Sequence, residues 1–245
     1  MARAGGAPRR RMTYRFVFFD AGETLLYPHP SFAELFALTV SEAGCPVTAE
    51  QVNAVRASHA PHLLDIAEES GIEKGPSLSP EDSRIFWTFL YRRFLEELGY
   101  PDESLVELLY ATFSKSSTYR LYDDALPTLE ILKARHSLGL ISNFDEWLRE
   151  MLVELEVGHL FEVAVISGIE GVEKPDASIY RLALERAGVD PSEAVHIGDS
   201  PGMDAEPAES VGMSAILLDR DARYPDAPWP TISSLRELPD LLAQG

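Results

Sequence analysis

The chain of 245 residues reads as an α/β protein: a Rossmann-like parallel-sheet core of about five strands, with an all-helical domain inserted after the first strand. Three observations carry this. Five short apolar runs, rich in aromatic and β-branched residues, have the length and composition of buried strands. The last four alternate with stretches of helical period, as βαβ units in a sheet covered on both faces do. The first and second are separated instead by about ninety residues, 28–118, that hold several amphipathic patterns and no convincing strand.

The strand runs are 14–19 (YRFVFF), 138–142 (LGLIS), 163–167 (VAVIS), Ala194–Gly198 (AVHIG) and Ser214–Leu218 (SAILL). Within the insert, Thr48-Ala49-Glu50-Gln51 has the spacing of a capping box, and Pro61 should break the helix it starts. Ser79-Pro80 opens a second helix through Ile85, Phe86, Phe89, Leu90 and Leu95 to Gly99, and Pro101 opens another. Phe86, Trp87 and Phe89 are spaced like a core stripe. In the core, Asp176 opens a helix through Ile179, Leu182, Ala183 and Ala187 that Gly188 closes. Asp190-Pro191-Ser192-Glu193 places a cap, an N1 proline and an N3 glutamate in order before the fourth strand. The expected organisation is a disordered basic tail over 1–12, an α/β core over 13–27 and 119–245, and the helical insert over 28–118.

Charge excludes some functions. With 21 Lys+Arg against 40 Asp+Glu the net charge is −19, so neutralising a nucleic-acid backbone by mass of positive charge is ruled out. No apolar run approaches the ~18 residues of a membrane span. The basic stretch 2–11 lacks the apolar segment of a signal peptide. A single cysteine, Cys45, excludes an internal disulfide and fits a reducing, cytoplasmic compartment. Lysine is scarce: Lys74, Lys115, Lys133 and Lys174 are all there are.

Ligands of an open parallel sheet bind at the carboxyl ends of its strands. Asp20-Ala21-Gly22-Glu23-Thr24 follows the first strand and Ser142-Asn143 ends the second. Lys174-Pro175 follows the third, and Gly198-Asp199-Ser200-Pro201-Gly202-Met203-Asp204 the fourth. Alone, each is an ordinary cap, turn or solvated loop. Together they set carboxylates, a hydroxyl and an ammonium at one sheet edge, a set suited to phosphoryl transfer. A carboxylate can attack phosphorus, a hydroxyl and an ammonium can hold its oxygens, and two carboxylates five residues apart suit Mg²⁺.

These four motifs, in this order and spacing, resemble the haloacid dehalogenase superfamily, and the helical insert resembles its C1-type cap. Within it, Ser142-Asn143-Phe144-Asp145, Glu173-Lys174-Pro175-Asp176 and Glu23 resemble the group around haloacid dehalogenase-like hydrolase domain-containing protein 3 and rhythmically expressed gene products. The resemblance implies a nucleophile at Asp20, phosphate binding by Ser142 and Asn143, and charge stabilisation by Lys174. It also implies a loop-shaping Thr24 and a Mg²⁺ site made by Asp20, the Gly22 carbonyl, Asp199 and Asp204. The partner is then a small phosphorylated metabolite, and the protein a monomer or homodimer.

The departure is Gly22, where phosphatases of the superfamily carry the Asp that protonates the leaving group. Glu23, one residue on, should point to the wrong side of the loop, and His29, His59 and His62 read as surface or packing histidines. A weak or specialised Mg²⁺-dependent phosphatase is the leading expectation. A non-catalytic ligand- or partner-binding protein on the same scaffold is the alternative. A 2-haloacid dehalogenase or phosphonatase comes third, the latter needing a Schiff-base lysine for which Lys74 is a poor candidate.

Overall fold

Phe16 and Phe18 project to one face of the first strand and Val17 and Phe19 to the other, and all four are buried, as a strand covered on both faces requires. The computed structural model describes residues 14–243, so the expected tail at 1–12 lies outside the described residues. The strands are β1 (Phe16–Phe19), β2 (Leu26–Pro28), β3 (Tyr119–Leu121), β4 (Ser137–Ser142), β5 (Val163–Ile166), β6 (Ala194–Gly198), β7 (Ser214–Leu218) and β8 (Thr231–Ile232). Six form one parallel sheet in the order β5-β4-β1-β6-β7-β8. The sequence suggests about five strands; the sixth, β8, is two residues at the edge, too short to show as an apolar run.

Between β2 and β3 lie five helices: α1 (Phe32–Glu42), α2 (Ala49–His59), α3 (Leu63–Ser70), α4 (Pro80–Glu97) and α5 (Glu103–Phe113). They gather their own apolar cluster around Phe36, Tyr91, Phe94, Leu95 and Leu109. β2 and β3 pair antiparallel, Leu26 opposite Leu121, so the chain leaves for these helices and returns side by side. Thr48 and Gln51 make the reciprocal capping bonds, and α2 stops at His59 just before Pro61. Two details differ. Asp102, not Pro101, caps α5, because its carboxylate accepts from Ser104 N at 2.7 Å. Trp87 is outside the buried stripe at 36% exposed, since that face of α4 is formed by Phe86, Leu90, Tyr91, Phe94 and Leu95.

Helices α6 (Ala125–Lys133), α7 (Leu148–Glu154) and, near the end of the chain, α11 (Leu238–Ala243) cover one face of the sheet. After β5 the chain makes the single turn α8 (Ser167–Glu170), and α9 (Ala177–Ala187) and α10 (Glu206–Ser210) pack on the other face. Asp176 caps α9 through Ser178 N at 2.8 Å, and Gly188 ends it at φ +62°. Among the described residues no helix is long and apolar enough to cross a membrane.

Asp124, entering α6, ties distant segments together. Its oxygens accept two bonds from Arg220 at 2.8 and 2.9 Å, one from Ser234 Oγ at 2.7 Å and one from Leu235 N at 3.0 Å. Burial raises the Asp124 pKa, but Arg220 and Ser234 outweigh it and hold the carboxyl below its ordinary value. A depressed pKa contributes stability above the unfolded value of about 3.9 that is lost as pH falls through the folded value. Asp124→Asn should therefore cost about 2–3 kcal/mol at pH 7 by leaving Arg220 unpaired, and the difference should shrink below pH ~3.5. Urea unfolding of both proteins at the two pH values measures it.

Candidate active site

Because β4, β1 and β6 are neighbours in one parallel sheet, their carboxyl ends bring Ser142, Asp20 and Asp199 to one edge. Lys174 arrives from the loop between α8 and α9, and Asp204 from the wide helical turn Pro201–Ala205. The Lys174 ammonium lies between two carboxylates, donating to Asp20 Oδ1 at 2.6 Å and to Asp204 Oδ1 at 2.7 Å. All three side chains are nearly fully buried. Asp20 Oδ2 accepts no hydrogen bond from the described residues.

Electrostatics separate the carboxylates. Burial raises the Asp20 pKa, with Lys174 opposing and Asp204 adding to the rise. For Asp204 burial is outweighed by Lys174 and His196, which hold it well below the carboxylate range. For Lys174 the same burial is outweighed by its two carboxylates, so its ammonium is held above the ordinary value. Asp199 is pushed up to about 7 by burial and then by the charges of Asp204 and Asp20, although Arg223 lies 3.1 Å from its Oδ2.

The fold supports each member. Both ends of the Asn143 amide clamp the backbone of Lys174: Nδ2 donates to its carbonyl at 2.8 Å and Oδ1 accepts from its N–H at 2.7 Å. Asn143 therefore positions the lysine backbone, with one of its two Nδ2 hydrogens engaged. Asp204 Oδ2 accepts from Ser200 N at 3.0 Å, and its Oδ1 from His196 Nε2 at 3.0 Å. Any Cβ on Gly198 would overlap the Asp204 carboxyl, so that strand must end in glycine. Ser142 is buried at the end of β4, and Thr24 is buried in the turn after Asp20 with its hydroxyl unpartnered.

Asp20, Asp199 and Asp204 each offer an oxygen within 4.8 Å of the others. Hard oxygen donors around one point are what Mg²⁺ takes. The donor set fits the ion. Since every Asp204 oxygen already receives a donor, Asp20 Oδ2 and Asp199 are its freest contributors.

Other expected positions fall elsewhere. Glu23 takes φ +57° and turns its carboxylate to Tyr122 OH at 2.9 Å and Arg56 at 3.4 Å. It lines a polar cleft of about 660 Å³, with Arg56, Tyr122 and Arg220, whose walls include none of Asp20, Lys174, Asp199 or Asp204. His59 bonds the Val55 carbonyl, while His29 and His62 are exposed, and so is Lys74. Sequence reasoning missed His196 and Arg223. The histidine had left a signal, a lone ionisable residue inside an otherwise apolar strand; Arg223, in a loop of mixed charge, had left none.

The haloacid dehalogenase-like hydrolase family matches residues 14–212. Haloacid dehalogenase-like hydrolase domain-containing protein 3 of Danio rerio is 29% identical over 238 residues, covering 94% of this chain and 96% of that protein. A glyceraldehyde 3-phosphate phosphatase of Methanothermobacter thermautotrophicus is 31% identical over 215 residues, covering 84% of this chain and 85% of the relative. The magnesium-bound HAD-hydrolase YfnB of Bacillus subtilis shares the fold with a TM-score of 0.73 at 22% identity, over 94% of this chain and 98% of that one. With a family match across most of its length and the carboxylate–lysine edge in place, the chain belongs to the haloacid dehalogenase-like hydrolases.

Proposed function

We propose that the protein is a Mg²⁺-dependent phosphatase that hydrolyses a small phosphorylated metabolite through an aspartyl phosphate on Asp20. The observation that carries this is the buried Lys174 ammonium bonding Asp20 at 2.6 Å while Asp199 and Asp204 stand within reach of one cation. The glyceraldehyde 3-phosphate phosphatase named above, one of its relatives, supports the same chemistry.

One oxygen of the Asp20 carboxylate attacks phosphorus, the bond to the leaving oxygen breaks, and that oxygen departs with its electron pair. Lys174 opposes the protonation that burial favours at Asp20, and with the Ser142 hydroxyl it offers donors to the phosphoryl oxygens. Water then attacks the acyl phosphate, releasing orthophosphate and restoring the carboxylate. Asp20, Asp199, Asp204 and the Gly22 carbonyl would hold Mg²⁺, which when bound would supply positive charge to the phosphoryl oxygens. The same acidic set counts against 2-haloacid dehalogenation, and the exposure of Lys74 against a phosphonatase Schiff base.

Nothing at position 22 can protonate the leaving group, and the Arg56 and Tyr122 partners of Glu23 turn that carboxyl away from the task. Turnover should favour leaving groups that depart without a proton.

With p-nitrophenyl phosphate and Mg²⁺, Asp20→Asn should fall to the level of buffer, and equal rates for the variant and the wild type would sink the reading. Gly22→Asp is the complementary gain. A Cβ there meets nothing within 4 Å, so the side chain has room. Supplying the acid should raise kcat/KM for alkyl phosphates by ~10²–10⁴-fold, against a much smaller effect on kcat/KM for the nitrophenyl ester, whose transfer to Asp20 needs no proton. Steady-state assays on both substrates compare the two.

A further inference from the structure

His196 is the third residue of β6 and its ring is wholly buried. Its Nε2 lies 3.0 Å from Asp204 Oδ1, and as the facing oxygen belongs to a carboxylate, the nitrogen donates. Among the described residues its Nδ1 is buried with no partner, so Asp204 is the ring's single polar anchor there. The Tyr180 ring meets it edge-on, 5.3 Å between centroids, and the Tyr180 hydroxyl donates to the carbonyl of Met203, the residue before Asp204, at 2.5 Å.

An apolar side chain would fill this place in a sheet core at lower cost, because burying one imidazole nitrogen unpaired is unfavourable. A polar residue at an apolar position is where a local rule yields to function. We infer that His196 is a positioning residue for the proposed phosphatase reaction: its Nε2–H holds Asp204 so that Asp204 and Asp20 share the Lys174 ammonium. Asp204 Oδ1 has two donors, His196 and Lys174. With the first removed, Oδ1 is left to Lys174 alone, drawing the ammonium toward Asp204 and away from Asp20. The loss then appears in the chemical step and not in binding of the remote part of a substrate.

The inference rests on the phosphatase reading, and its test separates the two. His196→Leu and His196→Asn remove the donor or shorten it out of reach, whereas His196→Gln carries an N–H to about the place of Nε2. With p-nitrophenyl phosphate and Mg²⁺, the Leu and Asn variants should lose about 10–100-fold in kcat with KM nearly unchanged, and the Gln variant should recover most of it. In parallel, calorimetric titration with Mg²⁺ and beryllofluoride, a phosphoryl mimic, should show binding about tenfold weaker in the Leu and Asn variants and restored in Gln. Wild-type kcat and binding in a folded Leu or Asn variant would overturn the inference. So would a Gln variant as impaired as Asn at a wild-type melting temperature. Should Leu fail to fold, the Asn–Gln pair decides. If Asp20→Asn turns over as fast as the wild type, the phosphatase reading falls alone, and the beryllofluoride titration still judges His196: equal binding in all variants rejects it.

Discussion

The Lys174 ammonium, 2.6 Å from Asp20 and 2.7 Å from Asp204, is the interaction on which the rest of the site depends. Counting formal charges at this edge gives three carboxylates (Asp20, Asp199, Asp204) against two cations (Lys174, Arg223), a net −1 before any ligand arrives. Desolvating such charges costs several kcal/mol each, repaid only by excellent geometry and saturated hydrogen bonding. The surrounding fold supplies both. Asn143 fixes the Lys174 backbone from two sides, Gly198 makes room for the Asp204 carboxyl, and Ser200 N closes its other oxygen. On the proposed phosphatase reading, a divalent cation would turn that −1 into +1, the sign an incoming phosphate needs.

The same lysine loop also carries the contact with the helical insert. Glu173, immediately before Lys174, accepts from Ser77 N at 3.0 Å and Ser77 Oγ at 2.5 Å, and Ser167 Oγ donates onward to Ser77 Oγ at 2.7 Å. Burial raises the Glu173 pKa against these bonds. A second tie, Arg56 to Glu23 at 3.4 Å, is half exposed and so worth little by itself. The insert is thus held firmly beside Lys174 and loosely beside the Asp20 turn. The loose side is the one where the polar cleft opens.

How much of this was legible in the sequence varies with the range of the forces involved. The buried strands could be read because residues such as those of 194–198 and 214–218 are apolar on both faces, a pattern only a doubly covered sheet needs. Thr48 with Gln51, Asp176 and Gly188 were legible because caps act within four residues. The carboxylates, Ser142 and Lys174 could be grouped because strand ends of one parallel sheet share an edge. Pairings across long separations were not legible. Arg223 to Asp199, Ser77 to Glu173 and the Asn143 clamp are set by loop paths that no local rule specifies. Trp87 failed for a related reason: one residue of helical phase, about 100°, separates the buried stripe from the surface.

On the proposed phosphatase reading, Gly22 gives the site its chemical character. Removing a carboxylate there leaves intact every group that stabilises formation of an acyl phosphate, because Lys174, Ser142 and the acidic set all act on phosphorus and the nucleophile. What is lost acts on the other oxygen, the one that departs. In such a site the barrier tracks the basicity of the leaving group: a phenolate or carboxylate leaves unaided, while an alkoxide waits for a proton from water. The second half of the cycle suffers too, since the water that cleaves the acyl phosphate loses its general base. Formation of the phosphoenzyme is therefore less impaired, for good leaving groups, than its breakdown. On that reading the enzyme would linger in the phosphorylated state, and the buried Lys174–Asp204–His196 row would hold that state together while it waits.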